Sequence, residues 1–87
     1  MYDIVYTKTA VKDIKKLKAA HIENTAKNLI AIIKQNPYQT PPPYEKLVGS
    51  LAGAYSRRLN VQHRLVYEVI EEKKTIKIIS LRSHYER

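Results

Sequence analysis

The sequence contains no cysteine. The protein can therefore form no disulfide, has no thiol nucleophile and cannot build a cysteine-type zinc site, so its stability must come from packing alone. No apolar run approaches the roughly 20 residues that a membrane-spanning helix needs. The first residues also lack the basic start and the small-residue cleavage site of a signal peptide. From these absences we expect a cytoplasmic protein that is not attached to a membrane.

The signatures of two large enzyme classes are also missing. No two of the histidines His21, His63 and His84 have the i, i+4 spacing of a helical zinc site, and no acidic cluster suits Mg²⁺. The Gly-x-Ser-x-Gly motif of serine hydrolases is absent as well. We therefore expect neither a metal-dependent enzyme nor a serine hydrolase, and we expect no cofactor.

What the sequence does have is the length of one domain and an excess of positive charge. Its 87 residues suit a single domain, residues 1–87, and an apolar fraction of 44% with a charged fraction of 28% is ordinary for a globular protein. The net charge is +8, and a basic domain most often binds a polyanion, either nucleic acid or an acidic protein. All five arginines lie in residues 45–87, whereas residues 1–44 have seven lysines and no arginine.

Two helices are predicted in the first half of the chain. Val11, Ile14 and Leu17 recur at helical spacing, and hydroxyl side chains just before them can cap the helix. A second apolar stripe begins near His21. This helix should end near Asn36, because the proline that follows disfavours helical geometry in the residue before it.

Strands are predicted at residues 2–6, 55–60, 63–70 and 75–81. A stiff proline-rich connection at residues 37–43 and a glycine-containing turn region at residues 45–53 precede the last three strands. The order is β-α-α-β-β-β. The sequence thus predicts a small single α+β domain in which two N-terminal helices pack on an antiparallel sheet.

Three polar residues are suited to cleaving RNA without a metal. A base must remove the proton of a ribose 2′-OH, a cation must stabilise the phosphorane, and an acid must protonate the leaving 5′-oxygen. Glu45, Arg64 and His84 could fill these roles, although each alone is more often a solvated side chain. Arg64 differs because it lies in a strand predicted to be inside the sheet, where a cation needs a partner or a ligand.

A longer pattern in the second half of the chain resembles a known family. It consists of Glu45-Lys46-Leu47, of residues 51–59 with Ser56-Arg57-Arg58, of His63-Arg64-Leu65-Val66-Tyr67, and of His84-Tyr85. In these segments the chain resembles the Txe/YoeB family of bacterial toxins, which belongs to the wider RelE-like group of ribosome-dependent mRNA endoribonucleases. The first half resembles the family in layout only.

The resemblance implies a RelE-like microbial RNase fold and a role for each matched residue. Glu45 corresponds to the base for the 2′-OH, Arg64 to the phosphate-stabilising arginine and His84 to the general acid. Tyr85 corresponds to the aromatic residue that orients the scissile nucleotide, by stacking or through its hydroxyl.

Further RNA contacts are expected from basic residues, namely Lys46, Arg57, Arg58 and Arg82. Arg57 taken by itself is more simply explained as a solvated residue paired with Glu68, Glu71 or Glu72. His63 is expected to be a structural histidine hydrogen-bonded at the start of a strand. Tyr55 and Tyr67 are expected to be packing residues rather than platforms for bases.

The chain departs from the family pattern at four places. The family often has a basic residue at the position of Val48, an aromatic pair at Ala54-Tyr55 and an acidic residue at Gln62. It also tends to end at the His-Tyr pair, whereas this chain continues with Glu86-Arg87. None of these differences removes a residue from the proposed catalytic set.

The resemblance also implies partners. It indicates the toxin of a type II toxin–antitoxin system that cuts mRNA in the ribosomal A site and so inhibits translation. A small acidic antitoxin of the YefM/Phd type is the expected protein partner, and family members can also form homodimers. The net charge alone leaves an alternative open, a non-catalytic basic module that binds RNA or an acidic protein.

Overall fold

The computed structural model describes residues 1–19 and 21–81. Its elements are β1 Asp3–Tyr6, α1 Lys8–Ala19, α2 Glu23–Gln35, β2 Glu45–Lys46, β3 Ala54–Arg58, β4 Arg64–Ile70 and β5 Thr75–Ser80. The five strands form one sheet in the order β1-β5-β4-β3-β2, and apolar residues of both helices share a core with β4 and β5. The predicted α+β class, with two helices packed on a sheet, is confirmed.

The sheet is mixed, which corrects the expectation of a wholly antiparallel sheet. Strands β2 to β5 pair antiparallel in sequence order, but β1 pairs parallel with β5. A parallel neighbour requires a long crossover connection. The two helices that follow β1 begin such a connection, and a strand pattern does not specify which partner an edge strand will join.

The two helices each bury one face. Thr7 Oγ1 accepts the backbone N–H of Ala10 at 3.0 Å and so caps α1, as predicted. The buried residues of α1 are Ala10, Asp13 and Leu17, whereas Val11 is 49% exposed. The predicted stripe was therefore wrong at Val11, because a small residue and a hydrogen-bonded acid occupy the buried face instead. Within the described ranges, neither helix has the length and apolarity needed to cross a membrane.

Helix α2 buries one apolar face and ends as predicted. Ala26, Leu29 and Ile33 are its buried positions. Asn36 already has extended backbone angles, with φ −154° and ψ 101°, because the next residue is a proline.

The region at residues 45–53 is only partly a turn. Gly49 and Gly53 have φ of +71° and +97°, and such positive angles favour glycine, so the turn itself is confirmed. Before it, however, Glu45–Lys46 forms the short strand β2, paired with Ser56 and Tyr55 of β3. Two charged residues carry no strand pattern. The segment is extended because its backbone pairs with β3 at the edge of the sheet.

Alternation along β3 and β4 divides the sheet into two faces. Leu65 and Tyr67 belong to the core on the helix side, so Arg64 and Val66 point to the opposite face. Register pairs Ser56 with Val66, which places Ser56 on that opposite face as well. The candidate catalytic residues in the described chain lie there.

Candidate active site

A cleft of about 320 Å³ lies on the face of the sheet that the helices leave uncovered. It is formed where β2, β3 and the start of β4 meet. Its lining residues are Pro43, Tyr44, Glu45, Ser56, Arg58 and Arg64. Three of these, Glu45, Arg58 and Arg64, were predicted as catalytic or RNA-binding residues.

Glu45 and Arg64 come together although they are 19 positions apart in the sequence. Register pairs Glu45 with Ser56 and Ser56 with Val66, so the carboxylate and the guanidinium reach each other across β3. Arg64 Nη1 lies 3.5 Å from Glu45 Oε1 and 3.5 Å from Ser56 Oγ. Both contacts are long for a hydrogen bond. A phosphate could therefore draw the guanidinium towards it without breaking a short bond to either group.

The two members of this pair differ in exposure. The Arg64 side chain is 26% exposed and that of Glu45 is 67% exposed. Arg64 is held by the central strand β4, while Glu45 stands at the open rim on the edge strand β2. The geometry gives a partly buried cation on a central strand beside an accessible carboxylate at the rim.

Arg58 adds a second cation to the cleft. It is directly opposite Arg64 in the pairing of β3 with β4. Like charges placed opposite each other destabilise a sheet, and the single carboxylate of Glu45 compensates only one of them. A pair of arginines on one side of a cleft is suited to holding an anion such as phosphate.

The cleft also contains two residues that the sequence analysis did not propose. Ser56 is buried, and its hydroxyl contacts the same Arg64 nitrogen as the Glu45 carboxylate does. Tyr44 forms part of the wall and makes an edge contact with the Tyr55 ring, with centroids 5.4 Å apart. Alternation along β3 could have placed the Ser56 side chain on the same face as that of Arg58. Only the pairing of β2 with β3 shows that Ser56 lies opposite Glu45.

Arg57 is not at the cleft, and the expectations for it were wrong. Its side chain is 1% exposed, so it is neither solvated nor able to contact RNA in this conformation. Alternation places it on the helix-facing side of β3, opposite to Arg58. It donates hydrogen bonds to the Tyr67 hydroxyl at 2.9 Å and to the carbonyls of Pro42 and Pro37 at 2.6 and 3.0 Å.

The remaining predicted residues have structural or peripheral positions. The His63 ring lies 3.1 Å from Asn60 Oδ1 just before β4, which is the hydrogen-bonded position predicted for it. Tyr67 is buried and Tyr55 packs on the core, as predicted. Burial raises the pKa of the Tyr67 hydroxyl, and the adjacent Arg57 only partly offsets this. Lys46 is exposed and pairs with Tyr55, so it points away from the face that carries Glu45.

Arg82, His84 and Tyr85 lie outside the described residues. The last described residue is Leu81, whose backbone N–H is held by Asp13 of α1 at 3.0 Å. Ser80 pairs with Val66, two residues from Arg64 along the neighbouring strand. The described chain therefore ends near the cleft.

A second polar cluster lies away from the cleft. The Glu71 carboxylate accepts the hydroxyls of Tyr2 at 3.0 Å and of Tyr38 at 2.6 Å, and Lys74 lies 3.6 Å from it. Burial, followed by the bond to Glu71, raises the pKa of Tyr38. The Tyr38 hydrogen bond is the main reason that the pKa of Glu71 is lowered. This cluster joins the N-terminus, the segment after α2 and the β4–β5 turn.

The fold is that of small bacterial toxins. A YoeB/ParE toxin from Agrobacterium tumefaciens superposes with a TM-score of 0.85 at 29% identity, covering 95% of this chain and 99% of that one. The sequence model of YoeB-like toxins of bacterial type II toxin–antitoxin systems matches residues 6–85. The chain therefore belongs to the YoeB-like toxin family, which confirms the resemblance drawn from its motifs.

Individual relatives agree with this assignment. A YoeB toxin of Synechocystis sp. is 41% identical over 59 residues, which cover 68% of this chain and 66% of the relative, slightly under two thirds of its length. A YoeB–YefM heterotetramer from Staphylococcus aureus contains a chain that is 33% identical, with a TM-score of 0.81 and coverage of 98% and 99%. The Staphylococcus aureus toxin is also known as a dimer, at 32% identity and a TM-score of 0.79, with coverage of 97% and 98%.

Proposed function

We propose that this protein is a metal-independent endoribonuclease that cleaves mRNA in the ribosomal A site and thereby inhibits translation. The observation that carries the proposal is the cleft in which the Glu45 carboxylate lies 3.5 Å from the Arg64 guanidinium. Arg58 stands directly opposite Arg64. A carboxylate that can accept a proton, next to cations that can hold a phosphate, supplies two of the three parts of a cleavage that uses the 2′-OH.

In the proposed reaction Glu45 takes the proton of a ribose 2′-OH. The 2′-oxygen attacks the adjacent phosphorus, and the bond from phosphorus to the 5′-oxygen breaks. Arg64, with Arg58 beside it, stabilises the extra negative charge of the phosphorane. The products are a 2′,3′-cyclic phosphate and a free 5′-hydroxyl.

Two further roles rest on the family resemblance. His84 donates the proton to the leaving 5′-oxygen, and Tyr85 orients the scissile nucleotide. Arg82 and Lys46 are proposed to contact the RNA backbone outside the cleft. Arg57 does not contact RNA in this proposal, because its side chain is buried.

The proposed partners follow from the charge and from the relatives. The seven lysines of residues 1–44 provide a diffuse positive charge suited to ribosomal RNA, and a protein that acts on ribosomes works in the cytoplasm. Because a relative is known in a YoeB–YefM complex, we propose an acidic YefM/Phd-type antitoxin as the protein partner. The dimer of the same relative supports a homodimer.

The test is the substitution Glu45→Gln, which keeps the shape of the side chain and removes its basicity. Glu68→Gln is the matched control, because Glu68 lies on the same face of the sheet, pairs with the surface residue Lys77 at 3.8 Å and does not line the cleft. Both variants change the net charge equally. Single-turnover cleavage of an mRNA bound to ribosomes should slow by about 10²–10⁴-fold in Glu45→Gln and stay near the wild-type rate in Glu68→Gln.

The alternative, a non-catalytic basic binding module, gives the opposite result. Wild-type protein would then bind RNA without cutting it, and Glu45→Gln would bind more tightly because a carboxylate repels phosphate. Equal cleavage by wild type and Glu45→Gln would reject Glu45 as the base. In a further arm, His84→Ala should abolish cleavage and growth arrest while the protein stays folded, and full toxicity would reject His84 as the acid.

A further inference from the structure

Arg57 is the one arginine of the described chain that the fold encloses. Its guanidinium is bound by the Tyr67 hydroxyl and by the backbone carbonyls of Pro37 and Pro42. The Tyr67 hydroxyl in turn donates to the Pro37 carbonyl at 2.8 Å. Pro37 thus receives two hydrogen bonds from side chains of the sheet, and Pro42 receives one.

The surroundings of this cation are unusual for a buried charge. The guanidinium lies 5.0 Å from the centre of the Tyr44 ring and 5.9 Å from that of Tyr67. Across residues 1–19 and 21–81, the ion pairs found involve other cations. Backbone carbonyls and ring faces therefore compensate Arg57, and a buried charge with such partners is costly to disturb.

The bonds of Arg57 fix both ends of the proline-rich segment. Pro37 follows α2, and Pro42 lies three residues before Glu45. Prolines lack a backbone N–H, so the segment from 41 to 43 cannot anchor itself by donating hydrogen bonds. Its carbonyls can only accept hydrogen bonds, and Arg57 donates one to the carbonyl of Pro42. The planar fork of an arginine can bond two carbonyls at once, which a single lysine ammonium does less well.

We propose that Arg57 is a positioning residue for the cleft: by holding the Pro37 and Pro42 carbonyls and the Tyr44 ring, it sets where Glu45 stands relative to Arg64. This inference rests on the proposed function, because it gives Glu45 the role of base. The adjacent arginines of β3 thus act on two faces of the sheet. Arg58 lines the cleft, and Arg57 holds the segment that carries the base into it.

The first variant is Arg57→Lys, which keeps the charge and loses the fork. Tyr67→Phe is a milder second variant, since it removes only the hydroxyl bonded to Arg57 and Pro37. If Arg57→Lys does not fold, Tyr67→Phe takes its place in both measurements and should change them in the same direction. Ile76→Val is the control for general destabilisation, because Ile76 is buried in the core on β5, two strands away from Arg57. All three are compared as full chains, at a temperature where each is folded.

The kinetic arm is a double-mutant cycle. Arg57→Lys should lower the single-turnover rate constant on ribosome-bound mRNA by about 10²-fold, as expected for a misplaced catalytic group, with little change in KM. In the Glu45→Gln background, the same substitution should change the residual rate by less than about 2-fold, because the group it positions is gone. A merely structural defect would lower the rate in both backgrounds.

The second arm follows amide hydrogen exchange and does not depend on activity. The Leu47 N–H, bonded to the Ala54 carbonyl at 2.9 Å just after β2, reports on the anchoring of the Glu45 region. The Thr7 N–H, bonded to Ile78 at 3.1 Å, reports on the far edge of the sheet. Arg57→Lys should speed exchange at Leu47 by at least about 10-fold relative to Ile76→Val and leave Thr7 unchanged.

The two arms separate failure of the inference from failure of the proposed function. Unchanged exchange at Leu47, or an equal rate loss in both backgrounds, would overturn the positioning role while leaving Glu45-dependent cleavage intact. If wild-type protein shows no Glu45-dependent cleavage, the proposed function falls and the catalytic part of the inference falls with it. The exchange arm would then still decide whether Arg57 anchors the segment.

Discussion

Replacing Asp13 with alanine should destabilise the protein by about 1–3 kcal/mol. Asp13 is 6% exposed on the inner face of α1, and its Oδ2 accepts the backbone N–H of Leu81 at 3.0 Å. Leu81 is itself buried. The substitution therefore leaves a buried N–H without its acceptor, and this is where the cost arises.

The size of the effect can be measured by thermal and urea unfolding. For a domain of this length, a loss of about 2 kcal/mol lowers Tm by about 8–16 °C. Asp13→Asn keeps a carbonyl oxygen that can accept the Leu81 N–H, so it should lose about 1 kcal/mol or less, the difference between a charged and a neutral acceptor. Lys12→Ala, on the exposed face of the same helix, is the control and should change stability by less than about 0.5 kcal/mol.

The same bond should matter for activity, because Leu81 directly follows β5 and precedes His84 and Tyr85 by only a few residues in the sequence. At a temperature well below every Tm, Asp13→Ala should cleave mRNA more slowly than Lys12→Ala, and Asp13→Asn should recover most of the rate. A stability loss below about 0.5 kcal/mol for Asp13→Ala, or an equal loss for alanine and asparagine, would refute the hydrogen bond as the cause.

Two more predictions concern charged groups. Arg64→Lys keeps the cation but not its planar fork, so single-turnover cleavage should fall by about 10–10²-fold, and Arg64→Ala should lower it further. Equal rates for lysine and wild type would contradict the need for the fork, and equal rates for alanine and wild type would contradict a role in holding the phosphorane. The lowered pKa of Glu71 means that its stabilising contribution is present above the unfolded-state value of 4.5 and is lost as the pH falls below it. The pKa of Tyr38 is raised instead. The stabilising contribution of the Tyr38 hydroxyl is therefore present at lower pH and is lost as the pH rises above the unfolded-state value of 10.0. In unfolding experiments the difference in the free energy of unfolding between wild type and Glu71→Gln should therefore shrink at both acidic and strongly alkaline pH. A difference that stays constant with pH would show that it does not arise from the Tyr38–Glu71 hydrogen bond.

The fold could be predicted from the sequence wherever a local pattern decided the structure. The end of α2 at Gln35 followed from the proline after Asn36, and the buried stripe of that helix followed from its spacing. The parallel pairing of β1 with β5 did not follow, because it depends on which edge of a finished sheet a distant strand meets. Strand β2 was missed for a similar reason, since only pairing with β3 makes Glu45–Lys46 extended.

The candidate site was predictable in its residue types and less so in its arrangement. Glu45 and Arg64 were predicted from their chemistry and from the family resemblance. Ser56 and Tyr44 were not selected, because neither residue type suggests catalysis and their places in the cleft depend on the register of β2. Register is a property of paired strands, and it cannot be read from one strand alone.

The two neighbouring arginines of β3 show how far a count of charges can mislead. The net charge of +8 treats Arg57 and Arg58 as equal, and their adjacency suggests one basic patch. Because successive side chains of a strand point to opposite faces, the pair is divided between the interior and the cleft. Arg57 is enclosed by carbonyls and tyrosine rings and offers no charge to a polyanion at the surface. Arg58 lies opposite Arg64, and the Glu45 carboxylate beside Arg64 compensates only one of these two cations. The phosphate binding that we propose for the cleft therefore depends on which face each arginine occupies rather than on how many arginines the protein has.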